Sequence, residues 1–213
     1  GTRAHVDGVQ VAPANAAIAI GMDASTKADS SIVIGNAASV DSEYATDSIA
    51  IGSNARAEGM TAIEAVAIGV NARVTATRAT AVGTDAQALG ANSIALGQAT
   101  ASGGSAIAAG NAAEAETPDS ISLGSGAGVG TLGNAAGDRT SHIAIGTGAG
   151  TNVAGNQTTA IGFQAGANVT GDQNIAIGSQ AGSGLTGDFN VAIGYQANNG
   201  VGNRERSVAV GSG

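Results

Sequence analysis

The stretch NIAIGSQAGSGLTGDFNVAIGYQA, Asn174 to Ala197, says one phrase twice: NIAIGSQA, then NVAIGYQA sixteen residues later. An apolar word with an Ala at its centre, closed by glycine, is being repeated with little bulky side chain around it. Tracing the closing glycine outward gives Gly21, Gly35, Gly52, Gly69, Gly83, Gly97, Gly110, Gly124, Gly146, Gly162, Gly178, Gly194 and Gly211. The spacings are 14, 17, 17, 14, 14, 13, 14, 22, 16, 16, 16 and 17, so nearly the whole chain is one repeat array.

Each column of the repeat has its own chemistry. Three residues before the glycine stand Ile18, Ile32, Ile49, Val66, Ile94, Ile107, Ile121, Ile143, Ile175, Val191 and Val208. One before it stand Ile20, Ile34, Ile51, Ile68, Val82, Leu96, Leu123, Ile145, Ile161, Ile177, Ile193 and Val210. The residue between is Ala, except at Val33 and Ser122. Large, small, large with β-branched residues is a period-2 pattern, hence a strand. A second Ala column lies three residues after the glycine, and in SNARAEG its neighbours Arg56 and Glu58 suggest a second strand with small residues inward. Ala also favours helix, but glycine costs about 1 kcal/mol at each helical position and interrupts almost every window here.

Two short strands per repeat cannot bury a face alone. Stacked, they form a parallel β-solenoid in which each strand pairs with its copy in the next coil. The reading is therefore all-β, one continuous domain over 1–213. Coils of mainly the fourteen-residue type cover 17–124, a Gly-rich insertion covers 125–142, and sixteen-residue coils cover 143–213. Ser31, Ser48, Ser93, Ser120 and Ser207, with Asn174 and Asn190, stand four before the glycine, where short polar side chains can bond local backbone.

Composition narrows the function. Net charge is −8, with eight Lys and Arg that form no cluster, which argues against a nucleic-acid surface. Zero cysteines remove disulfides and thiolate metal sites. No run approaches the roughly 20 apolar residues of a membrane-spanning helix. The opening GTRAHVDGVQ has neither an initiating Met nor the apolar core of a signal peptide, and reads as part of a longer protein. GVGTLG (Gly128–Gly133) matches G-x-G-x-x-G but lacks the strand–helix context that gives the fingerprint meaning. His5 and His142 have no Cys or Glu at ligand spacing, and Ser141 beside His142 makes no triad. Asp172 and Asp188 recur in TGDQN and TGDFN and should stack one coil apart; turn residues are the plainer reading than calcium ligands. Phe163, Tyr195, Phe189 and Tyr44 are too dispersed for a base-stacking platform. Catalytic, cofactor-binding and metal residues are expected to number none.

Alternation leaves two orientations open. The isoleucines face inward against the Ala strand, giving a monomer, or outward, giving an apolar stripe that marks an interface. The words SIAIGSNARAEG (Ser48–Gly59) and SIALGQATASGG (Ser93–Gly104) resemble the YadA-like head repeat of trimeric autotransporter adhesins. The resemblance covers roughly Ala17 to Gly213 and implies a left-handed parallel β-roll assembled as a parallel homotrimer. It then implies a trimer core of Ile18, Ile20, Ile32, Ile34, Ile49, Ile51, Val66, Ile68, Ile94, Leu96, Ile121, Leu123, Ile143, Ile145, Ile175, Ile177, Val191, Ile193, Val208 and Val210. It implies display on an outer membrane through a C-terminal anchor, attachment to host cells or extracellular matrix, possible autoaggregation, and no catalysis. Heptads, neck and anchor strands are missing from the sequence, so the chain reads as an isolated head. Collagen, fibronectin and laminin are ligands within that family, and no motif here selects among them. A monomeric β-solenoid such as an ice-binding protein would need a regular Thr ladder, and Thr131, Thr140, Thr151, Thr170 and Thr186 are irregular. A purely structural spacer is the remaining alternative.

Overall fold

The computed structural model describes residues 5–6, 16–130, 141–200 and 205–213. The chain divides into two compact units, Gly1–Ala101 and Ser102–Gly213. The first contains β1 (His5–Val6), β2 (Ile18–Ile20), β3 (Ser25–Thr26), β4 (Ile32–Ile34), β5 (Ser39–Val40), β6 (Ile49–Ile51), β7 (Arg56–Ala57), β8 (Val66–Ile68), β9 (Arg73–Val74), β10 (Thr80–Val82), β11 (Gln87–Ala88), β12 (Ile94–Leu96) and β13 (Thr100–Ala101). Even-numbered strands pair in parallel in chain order, Ile49 with Val66 and Ile51 with Ile68, for example. Odd-numbered strands form a second parallel ladder, with Arg56 opposite Arg73 and Ala57 opposite Val74. Each coil thus donates one three-residue and one two-residue strand, and pairing is always with the next coil. This is an all-parallel β-solenoid of the β-roll kind.

Small side chains fill the interior. Val33, Ala50, Ala67, Ala81 and Ala95, the central residues of the apolar words, are fully buried. Facing them are Ala24, Ala38, Ala55, Ala72 and Ala86, then Thr26, Val40, Ala57, Val74 and Ala88, also fully buried. A lumen filled by methyl and isopropyl groups brings the two sheets close together. Within that thickness there is no room for Ile, so the isoleucines on both sides of each central Ala point outward.

The coil corners are made by left-handed residues. In the coil closed by Gly52 these are Asp47 and Asn54, both at φ 58°, five before and two after the glycine. Asn and Asp reach this region with the least steric cost. Stacked corners also bond: Asn54 Nδ2 donates to Asn71 Oδ1 at 2.9 Å, and Asn71 Nδ2 to Asp85 Oδ1 at 2.9 Å. At the position four before the glycine the short polar side chains turn inward and bond backbone. Ser48 Oγ donates to Ala62 O at 2.8 Å, and Asn174 Nδ2 to Gly187 O at 2.9 Å.

The second unit begins with β14 (Ile107–Ala109), β15 (Glu114–Ala115) and β16 (Ile121–Leu123). It continues through β17 (Ile143–Ile145), β18 (Thr159–Ile161), β19 (Ile175–Ile177), β20 (Val191–Ile193) and β21 (Val208–Val210). All but β15 pair in parallel in sequence order. The expectation of two strands in every coil fails here. From Ile143 onward the described coils carry one named strand each, and only the bridges Ala154–Thr170–Thr186 mark the opposite side. The cause is conformational: Gly148, Gly150 and Asn152 have φ of 64°, 60° and 52°, so the backbone cannot extend through them. Coil-to-coil bonding survives, with Gly150 N–H donating to Ala165 O at 2.9 Å and Asn168 N–H to Thr151 O at 2.7 Å. The same geometry already appears at Gly126, Gly128 and Gly130, with φ of 63°, 70° and 67°, so the longer coil type starts at Gly124. Residues 131–140, which include Asp138 and the end of the GVGTLG stretch, lie outside the described residues. On the far side Val153, Val169 and Leu185 stack into a small core of their own.

The closing glycines are required sterically. A Cβ on Gly52, at φ 132°, would stand 2.3 Å from the carbonyl oxygen of Gly69 in the next coil. Gly52→Ala should therefore unfold or severely destabilise the stack, by several kcal/mol. Gly126→Ala, at φ 63° with nothing near its Cβ, should lose only about 1–2 kcal/mol. Denaturant unfolding followed by circular dichroism would separate the two.

Candidate interaction surface

The outward residues of the three-residue strands form two columns on each unit. In the first unit Ile18, Ile32, Ile49, Val66, Thr80 and Ile94 make one; Ile20, Ile34, Ile51, Ile68, Val82 and Leu96 make the other. In the second, Ile107, Ile121, Ile143, Thr159, Ile175, Val191 and Val208 run beside Ala109, Leu123, Ile145, Ile161, Ile177, Ile193 and Val210. Within each unit the residues expected at a trimer core stand on the outward side of their own strands. Each is half-buried or exposed on the single chain. Exposure reaches 56% at Ile20 and 73% at Val210. The columns are broken only by Thr80, Thr159 and Ala109, which leaves long apolar ladders facing solvent.

Charged groups occupy the other side. Arg56 on β7 is exposed, and its Nη2 and Nε donate to Asn54 Oδ1 at 2.7 and 3.1 Å. Arg73 on β9 pairs with Glu58, and Glu114 on β15 accepts from the Gly130 N–H at 3.4 Å. The face with the isoleucines carries no charge on its strands, whereas the opposite ladder carries these.

Sequence reasoning missed the edges of the apolar face. Phe163 and Tyr195 stand one residue after their glycines, Phe189 stands five before Gly194, and all three are exposed. They flank strands β18 and β20 and widen the apolar surface of the second unit. The column shared by Phe163 and Tyr195 was the available signal. Arg206, one coil beyond, holds its guanidinium 5.6 Å from the centre of the Phe189 ring. Stacked amides line the opposite corner: Gln196 Nε2 donates to Gln180 Oε1 at 2.8 Å, and Gln180 Nε2 to Gln164 Oε1 at 3.3 Å.

Two further sequence features resolve into structural roles. Asp172 Oδ1 accepts the Asn156 N–H, and Asp188 Oδ1 accepts the Asp172 N–H, each at 2.8 Å. These carboxylates tie one turn to the next. Among the described residues no group of three or more His, Cys, Asp and Glu could hold a metal ion, and no helix occurs. His142 is buried four residues before Gly146, in the inward column that holds Ser120 one coil earlier and Thr158, Asn174 and Asn190 in the coils after it. Its Nδ1 accepts the Thr158 N–H at 3.4 Å, and its Nε2 has no partner among the described residues.

Over residues 44–63, 61–86, 75–100 and 101–127 the chain matches the YadA head domain repeat. YadA head domain repeats are therefore present in this chain, and such domains are non-catalytic adhesin modules. No curated protein matches it.

Burial lowers the His142 pKa from 6.5 to about 4. The folded state thus binds its proton less readily than the unfolded chain. The stabilisation is complete above pH 6.5, decays as pH falls, and is lost by about pH 4. Unfolding titrations should show a loss on the order of 2–3 kcal/mol over that interval. His142→Asn, which installs the residue of two later coils, should remove this part of the pH dependence.

Proposed function

Starting from a chain that carries YadA head repeats on a β-solenoid, we propose that it is the head (passenger) region of a trimeric autotransporter adhesin on a Gram-negative bacterial surface. Three copies, each a left-handed roll, pack in parallel with their Ile and Val columns turned toward a common axis. The whole of 1–213 serves as one head, with its loops and charged strands turned outward. The observation that carries this reading is the outward ladder on the coils of each unit, which no other described residue covers. Fully burying each such side chain contributes about 1.5–3 kcal/mol.

The proposed activity is attachment to host cells or to extracellular-matrix protein, without turnover. An outer surface repeated around the axis and along it lets weak contacts add through avidity. Three chains at −8 each carry −24, which disfavours polyanionic ligands and makes protein ligands the better match. YadA head domains are typically displayed outside the cell, which accords with a matrix-facing role.

Sedimentation should give the mass of three chains. Ile51→Asp or Ile177→Asp should abolish assembly, because three unpaired carboxylates would meet near the axis at several kcal/mol each. Arg56→Asp, on the charged ladder, should leave the mass unchanged; equal effects of all three would refute the assignment of faces. On immobilised matrix proteins and cells the intact assembly should bind, and the Ile51→Asp form should bind weakly at equal chain concentration. Absence of binding by the assembly to every matrix and cell surface would leave a spacer role.

A further inference from the structure

The strand β20 separates two sets of side chains by simple alternation. Asn190 and Ala192 are fully buried, while Phe189, Val191, Ile193 and Tyr195 lie on the outward side. Phe189 therefore sits at the edge where the chain enters the strand and Tyr195 at the edge where it leaves. They are 47% and 57% exposed. Among the described coils this is the one with an aromatic at both edges. Phe189 is also held at φ 61°, a conformation that a bulky residue adopts against steric resistance, with the Arg206 guanidinium against its ring. Among the described residues, Arg206 is the one cation stacked on either ring.

A rotation about an axis parallel to the stack brings the entry edge of one copy against the exit edge of the next. Coils of equal number then meet at equal height. A two-fold axis across the face would instead bring like edges together. The edge residues favour the first arrangement along the chain. Arg78, on an entry edge and paired along its own chain with Glu64 at 3.1 Å, would meet Thr84 and Asp85; Asp47 would meet Ser53 and Asn54; Glu64 would meet Val70 and Asn71. No like charges are opposed in any of these pairs.

We propose that a second copy of this chain covers the aromatic edges, Phe189 of one copy packing on Tyr195 of its neighbour, so that an aromatic clasp closes the ring and sets its register. The inference rests on the threefold assembly proposed above and adds the contact that fixes which coils meet. Offset or edge-to-face rings at the centroid separations usual for aromatic pairs would fill the gap between adjacent copies.

The chain has no cysteine, so Phe189→Cys/Tyr195→Cys introduces the only two thiols. Residues six apart through an extended strand are separated by up to about 20 Å, too far for a short bis-maleimide to bridge within one chain. The clasp predicts a covalent three-chain species on a denaturing gel, with neither single variant crosslinking. Covalent dimers from a single variant would indicate a two-fold interface and overturn the proposal. The unsubstituted protein gives a second readout, independent of whether the variant folds. Tyr44 and Tyr195 are equally exposed on the single chain, at 57% each, and they are its only tyrosines. In the assembly, nitration by tetranitromethane should be on the order of tenfold slower at Tyr195 than at Tyr44. Sedimentation on the same samples separates the failures. A trimer with equal nitration and no crosslink overturns the clasp and leaves the trimer standing. A monomer overturns both.

Discussion

Successive closing glycines approach one another until no Cβ can stand between their backbones. The hypothetical Cβ of Gly21 would lie 2.2 Å from Gly35 O, and that of Gly178 would lie 2.5 Å from Gly194 O. This contact sets the phase of every coil. Once the glycine is placed, the Ile–Ala–Ile word before it falls into register with its copy, and the corner two residues later must turn left-handed. Coil length is then free: coils of 14 and 17 residues share one strand ladder in the first unit, and coils of 14, 16, 17 and 22 residues share one in the second.

That constraint inverts the usual distribution of apolar side chains. In most small domains the largest hydrophobic groups are the most buried. Here the interior is a stack of alanines with a few Val, Ser and Thr, and the isoleucines are outside. Backbone hydrogen bonding between coils supplies the continuous internal order, while most of the larger apolar side chains remain available for a partner. The head-repeat match and this inversion bear on the same surface from different directions. The match says what kind of module carries such coils, and the inversion says why one chain alone leaves its apolar surface uncovered.

Much of this was legible in the residues. The SIAIG word, its glycine and the Ala three residues later specify strand, turn and small interior side chain, and each stands in the expected place at Ile49–Ala55. Orientation was not legible, because a period of two is satisfied by either face. The deciding fact is the thickness of the lumen, set by Ala55 and Ala57 on the opposite strand, which a pattern along one strand does not contain. The loss of the second strand after Ile143 was not legible, because two strands per coil were read from the shorter coils and extended to GTGAGTN. Its alternate glycines instead place left-handed residues at Gly148 and Gly150 while Ala149 stays inside. The joint placement of Phe189 and Tyr195 was hidden for a related reason. They are dispersed in sequence, and only the coil geometry shows that they bracket one strand.

The alanine interior also has a calorimetric consequence. Unfolding raises the heat capacity through exposed apolar surface, by roughly 0.45 cal/K/mol per Å², and lowers it through exposed polar surface, by roughly 0.26. A lumen made of methyl groups between two walls of peptide bonds releases little of the first and much of the second. The heat-capacity increment of a single chain should fall below the roughly 12–15 cal/mol/K per residue of ordinary domains. A small increment flattens the stability curve, so that neither cooling nor warming changes the free energy of the roll steeply. Any strong curvature would have to come from the isoleucines leaving a partner's surface, and its size would report how much of their area the assembly covers.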